Sequence, residues 1–372
     1  MANDMNDSII VKRLAWVDIA KGIAIIAVVI GHIGYRWPNT KLLPLSDLCV
    51  WLWHVPVFFM IGGFFLKEDR LIKPLPFVKG KLKSLYLPMI FIYVPVLMLH
   101  NWFISIGWYD LDIEYYGKFV TFWSLLDFIK HLAAALFCAG REPLLGAMWF
   151  GFVLFMALCI MSFTSLVIKK VSRGWSSITY EIVRGLVFLS LVIISCTLTK
   201  LFGLTIPRFN NTFVAIWLIY IGMLLVQKAR ITFSNGLIAA GSALLAWHTA
   251  TVEGGVNLVA NDYSDVIVLT IASGACLYVV CYMSKKLERV NGLRILLGNV
   301  GRDSLYIMGL HFIGFKIASL LLQLLGFNVE LGELVPVIGN NFVLFIFYTL
   351  FGVGFPMAVI YTVRNLRKLI KK

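Results

Sequence analysis

Charge is what this sequence has least of. Asp, Glu, Lys and Arg make up 14% of its 372 residues, and hydrophobic residues 60%. That balance excludes a soluble globular domain, and apolar runs of about twenty residues recur along the whole chain. Acidic residues are the scarcer sign, 19 against 33 basic ones. The net charge of +14 does not point to nucleic acid, because the basic residues cluster in short segments between apolar runs, where positive charge sets membrane orientation. There is no CxxC pair, no HExxH and no Gly-rich phosphate loop, so neither a metal nor a bound cofactor is expected. Cys49, Cys138, Cys159, Cys196, Cys276 and Cys281 lie mostly inside apolar runs and read as small buried hydrophobes. No linker, composition shift or recognisable repeat divides the chain, which reads as one domain, residues 1–372.

What is present is organised around Arg13 to His32, RLAWVDIAKGIAIIAVVIGH. The segment GYRWPNT after it has no small-x-small cleavage site, so the run is expected to stay as a first helix. It is apolar enough to cross a bilayer, yet it carries Asp18, Lys21 and His32. The eleven steps from Lys21 to His32 return to the same helix face at ~100° per residue, and the two sit ~16 Å apart along the axis. Asp18 lies near the same stripe, three residues before Lys21. Ionisable groups inside a membrane usually face protein or water, so this helix is expected to present a polar face joining two depths.

The expected fold is all-α, a polytopic membrane bundle of about ten transmembrane helices. The spans fall near 14–35, 48–66, 84–103, 147–168, 182–203, 212–227, 231–249, 265–284, 303–325 and 340–363. With both termini cytoplasmic, 23 of the 33 basic residues fall on the inner side. Among them are Lys12, Arg13, the 67–83 loop, Lys169, Lys170, the 285–294 loop and the tail from Arg364 to Lys372. Residues 119–139 are also apolar but contain Asp127, Lys130 and His131; they read as an amphipathic or re-entrant helix in a long external loop, 104–146. That loop carries Tyr109, Asp110, Asp112, Glu114, Tyr115 and Tyr116, a mixture suited to sugars or simply to a membrane interface. His248 and Glu253 form an H-x4-E spacing in a turn-rich segment and read as loop chemistry.

Five further stretches follow the opening helix in order. They are HVPVFFMIGGFFLK (54–67), KGKLKSLYLPMIF (79–91), MWFGFVLF (148–155), TIPRFNNTFVAIWLIYIG (205–222) and VGRDSLYIMGLH (300–311). Together the six resemble the integral-membrane acyltransferase family 3, in particular its branch similar to fucose 4-O-acetylase. Lys21 and His32 match that family's Arg/Lys-x10-His pattern. Two positions depart from it. Lys21 stands where many members have arginine, which turns a bidentate contact into a point charge. Gly62 stands where a serine is usual, so no role for that hydroxyl carries over.

The resemblance implies an O-acyltransferase of the cell membrane, a bacterial inner or plasma membrane. It would move an acyl group, usually acetyl from cytoplasmic acetyl-CoA, to a sugar hydroxyl of an envelope glycan or lipid-linked sugar. His32 is then the expected base, with Lys21 and Asp18 the other expected catalytic residues on the same helix. A neutral imidazole suits a sugar hydroxyl, because the thioester carbonyl is already reactive and only the alcohol needs deprotonating. His54, Trp149, Ser304, Tyr306 and His311 are the residues expected against substrate. Lys79, Lys81 and Lys83 are expected to hold the phosphates of coenzyme A. The rival reading is a non-enzymatic transporter of a glycan or lipid-linked sugar, which would be expected to show inverted repeats; none is found in the sequence.

Overall fold

The computed structural model of the protein describes residues 14–203, 208–258 and 265–370. Lys12, Arg13, Lys371 and Lys372, counted above for orientation, lie outside them, as do Thr205–Pro207 and Val259–Ser264. Helices dominate: α1 Ala15–Gly31, α2 His54–Gly63, α3 Glu68–Leu71, α4 Pro74–Lys81, α5 Leu87–Met98, α6 His100–Ser105, α7 Leu125–Leu136 and α8 Trp149–Val171. They continue as α9 Ser177–Phe202, α10 Phe209–Met223, α11 Gly236–Val252, α12 Val266–Leu287, α13 Asn291–Arg302, α14 Ser304–Leu324 and α15 Phe342–Ile370. Among the described residues strands are confined to two small pairs. β1 (Gly34–Tyr35) runs parallel to β4 (Val337–Gly339), and β2 (Glu114–Tyr115) antiparallel to β3 (Lys118–Phe119).

Among the described residues seven helical segments are long and apolar enough to cross a membrane, and Asp47–Gly63 and Gly236–Val252 are shorter apolar ones. With the 17-residue α1, each expected run is met by a helix. The largest shift is in the third. Helix begins at Pro74, not near residue 84, and α4 runs through a π turn at Leu82–Tyr86 into α5. Pro74 at the first helical position suits its missing N–H. The outward side of this bundle is apolar: Ile182, Leu186, Ile193 and Ile194 on α9, with Val343, Ile346 and Leu350 on α15, are exposed. Soluble proteins rarely show such continuous apolar patches.

The segment around 119–139 forms no span. Its helix α7 has only 12 residues, begins at a Ser124/Asp127 capping box, and leaves Leu125, Leu126, Ile129 and Leu136 exposed. At ~1.5 Å per residue it reaches about 18 Å, short of a ~30 Å hydrocarbon core.

α1 lies in the middle of the bundle, packed on α2, α12, α13, α14 and α15. Two glycines permit the closest of these approaches. A Cβ on Gly22 would stand 2.3 Å from the Leu297 carbonyl oxygen, and one on Gly301 only 1.7 Å from that of Asp18. Backbone therefore meets backbone where α1 crosses α13, a small-residue contact typical of helices in membranes.

Candidate active site

The stripe of α1 delivers its ionisable groups to two places. Near the helix start, Lys21 Nζ lies 3.6 Å from Asp18 Oδ1, with the Asp18 side chain buried and that of Lys21 31% exposed. At the other end His32 caps α1, and its Nδ1 is 2.8 Å from the carbonyl oxygen of Val28, one turn back. A carbonyl only accepts, so Nδ1 must carry the proton. That assignment leaves the lone pair on Nε2.

His54 and His311 repeat this device. His54 Nδ1 is 2.8 Å from the Val50 carbonyl oxygen, and His311 Nδ1 is 3.0 Å from those of Ile307 and Met308. The His311 ring sits 5.1 Å from that of His32, fully buried, and among the described residues its Nε2 has no hydrogen-bond partner. His32 and His54 face the same small hollow of about 60 Å³, closed by Trp51, Trp149 and Asn257.

His32 and Trp149 also line a second, larger cavity of about 450 Å³. Its other walls come from His100 at the start of α6, the 104–146 segment with Ala147, and the start of α10, none of which the sequence reading placed at the site. His100 and Glu142 are buried in the wall, with Nδ1 to Oε2 at 2.9 Å, and His100 Nε2 is 3.1 Å from the Thr121 carbonyl oxygen. The Tyr109 hydroxyl donates to the other Glu142 oxygen, and the Tyr93 hydroxyl accepts from the Glu142 backbone N–H at 2.9 Å. Burial and the Glu142 carboxylate both hold the Tyr109 phenol well above its ordinary range, so it stays a donor. His100, Trp123 and His131 form a stack, with ring centres 3.6 Å and 3.9 Å apart along it. Tyr116 reaches the same cavity, and burial pushes its phenol up to about 12. Of the acidic and aromatic cluster, Tyr115 and Tyr116 line the cavity and Tyr109 meets it only through Glu142, while Asp110, Asp112 and Glu114 do not line it.

A third hollow, about 470 Å³, opens among α3, α4 and the turn before them, and is lined by Lys67, Arg70, Lys73, Phe77 and Lys81. The Lys81 ammonium sits 5.3 Å over the Phe77 ring. Lys79 and Lys83 are exposed and do not line it. The helix explains the split: at ~100° per residue, positions 79 and 83 share a face and 81 points nearly opposite. Lys67, Arg70 and Lys73, recognised in the sequence only as orientation charges, take their place.

Ser304 and Tyr306 do not join the histidines. They open α14 beside the Asp303–Arg364 ion pair, and the Arg364 guanidinium lies 5.9 Å from the Tyr306 ring. His248 and Glu253 are both exposed, at the end of α11.

The arrangement offers an imidazole base at a cavity wide enough for a sugar ring and, elsewhere in the bundle, a basic hollow suited to phosphates. No curated protein and no solved structure matches the chain significantly. A family model described as an acyltransferase domain matches residues 14–361, almost the whole chain. The chain therefore belongs to the membrane acyltransferase family 3 and is an acyltransferase enzyme of the multi-pass membrane kind.

Proposed function

We propose that the protein is an O-acetyltransferase of the bacterial plasma membrane, with ten spans and both termini cytoplasmic. It takes acetyl from cytoplasmic acetyl-CoA and delivers it to a sugar hydroxyl of a cell-surface polysaccharide or glycolipid. One observation carries the reading: His32 has Nδ1 tied to the Val28 carbonyl and stands at a cavity rich in Trp and Tyr rings. Aromatic faces of this kind suit the C–H faces of sugars.

In the proposed reaction Nε2 of His32 takes the hydroxyl proton as the sugar oxygen attacks the thioester carbonyl. The tetrahedral centre collapses, the carbon–sulfur bond breaks, and the thiolate leaves with its electron pair. The imidazolium then returns its proton to the thiolate, so that coenzyme A and the acetyl ester are released. Lys67, Arg70, Lys73 and Lys81 would hold the phosphates of the donor, remote from the reacting carbonyl. Lys21 and Asp18, one stripe along α1 from His32, would set the electrostatics between the two ends.

The test uses full-length protein in lipid nanodiscs with labelled acetyl-CoA and a panel of envelope glycans. Label should pass to a glycan, with one equivalent of coenzyme A released. Glycan movement across sealed vesicles without label transfer would establish the transporter instead.

A further inference from the structure

The cavity of about 450 Å³ lined by His32 and Trp149 has a charge that a neutral sugar does not need. Three cations line it, Lys118, Arg141 and Arg208, together with His32, His100 and His131. Among the described residues the single carboxylate in its wall is Glu142, which is already engaged by His100 and Tyr109. Among the described residues the cavity is therefore left with an excess of positive charge and no further acid in its lining to balance it.

Arg208 is the most constrained of the three. It precedes α10 with φ +70° and ψ −27°, a left-handed conformation that a residue with a Cβ seldom adopts. Such backbone persists only where its surroundings hold it, and it clusters at binding sites. One guanidinium nitrogen, Nη2, donates to the Gly140 carbonyl oxygen at 3.0 Å, which anchors the side chain across the cavity from its own helix. Gly140 is next to Arg141, so the anchored guanidinium and Arg141 come from two sides of the same wall. The planar fork of arginine matches a carboxylate or phosphate in two parallel hydrogen bonds, and in a half-buried cavity such bonds are stronger than in water.

We infer that the acceptor is an anionic saccharide, bearing a carboxylate or a phosphate that Arg208 and Arg141 bind while the hydroxyl to be acylated faces His32. This rests on the acyltransferase reading above and adds to it the charge class of the acceptor. Both a uronic-acid carboxylate and a sugar phosphate offer the required oxygens, and the test separates them.

The experiment measures equilibrium binding of three probe pairs to full-length protein in nanodiscs of neutral lipid. A trigalacturonate is compared with the matching galactose trisaccharide, galactose 1-phosphate with galactose, and inorganic phosphate with chloride. At least one anionic sugar should bind about tenfold or more tighter than its neutral partner, and the ratio should shrink as salt is raised. The pair that shows the preference identifies the group. Arg208→Met should bring the ratio towards one, Arg208→Lys should keep part of it, and Arg141→Gln, at an exposed position, provides a second reading should Arg208→Met fold poorly. Ratios near one in the wild-type protein for all three pairs would overturn the inference. The same saccharides are then offered with labelled acetyl-CoA. Equal binding and equal acetylation of charged and neutral sugars would refute charge selection and leave the acyltransferase reading intact. Charge-selective binding without any label transfer would do the reverse.

Discussion

His32 and His311 stand with their rings 5.1 Å apart, and each donates through Nδ1 to a carbonyl one turn back on its own helix. Two helices far apart in sequence thus bring together two imidazoles, and among the described residues the Nε2 of His311 has no hydrogen-bond partner. Only His32 reaches the hollows, whereas His311 lies wholly inside. The pair therefore divides into one group placed for proton transfer and one placed behind it.

The first expectation concerns His32. His32→Gln keeps a hydrogen-bonding group of similar reach but cannot take up a proton at neutral pH. Acetyl transfer should fall by ~10²–10⁴, the usual range for loss of a general base, while abundance and melting temperature stay near wild type. Near-normal transfer by this variant would make the imidazole structural and move the search for the base to His54.

His311 should behave differently. Its Nε2 is buried with no partner among the described residues, a situation that ordinarily costs ~1–3 kcal/mol, and Met has similar bulk with no such nitrogen. His311→Met should melt at the same temperature or higher in detergent, yet turn over more slowly because the packing behind His32 changes. A variant with lower stability and full activity would contradict this assignment.

Glycine positions give a test of the fold itself. Gly301→Ala forces a methyl towards the Asp18 carbonyl, so it should destabilise by ~1–3 kcal/mol or more and reduce the folded yield. Gly62→Ser should be tolerated, because its Cβ would meet only the Leu154 and Ile219 side chains, at 3.6 Å and 4.0 Å, ordinary contacts. Size-exclusion profiles and thermal melts of the two variants, side by side, decide the matter. Equal behaviour would mean that α1 and α13 are not in close contact.

For the donor, Lys81→Ala should raise KM for acetyl-CoA several-fold with little change in kcat, because phosphates are held far from the reacting carbonyl. Lys79→Ala and Lys83→Ala, on the other face of the helix, should do markedly less. A purely kcat effect at Lys81 would remove the basic hollow from donor binding.

Much of this protein was legible in the amino-acid order, because hydropathy and helical period are local properties. The apolar runs, the polar stripe from Asp18 to His32 and the short amphipathic helix at Leu125–Leu136 all follow from neighbours a few residues apart. Tertiary packing decided the rest. His100 and Glu142 are 42 positions apart, and no spacing rule joins an imidazole at the end of one helix to a carboxylate after a loop; only the closing of that loop over the bundle does. Of the three lysines at 79, 81 and 83, the one that lines the basic hollow was settled by the helix starting at Pro74, which rotates alternate residues apart. Ser304 and Tyr306 share a helix with His311, but the Asp303–Arg364 pair at that helix start holds them away from the other histidines. Arg208 stood in the sequence only as part of the stretch TIPRFNNTFVAIWLIYIG, with no role of its own. Its role in the cavity exists because a left-handed turn and the Gly140 carbonyl aim the guanidinium there, and a backbone conformation of that kind leaves no trace in composition or period.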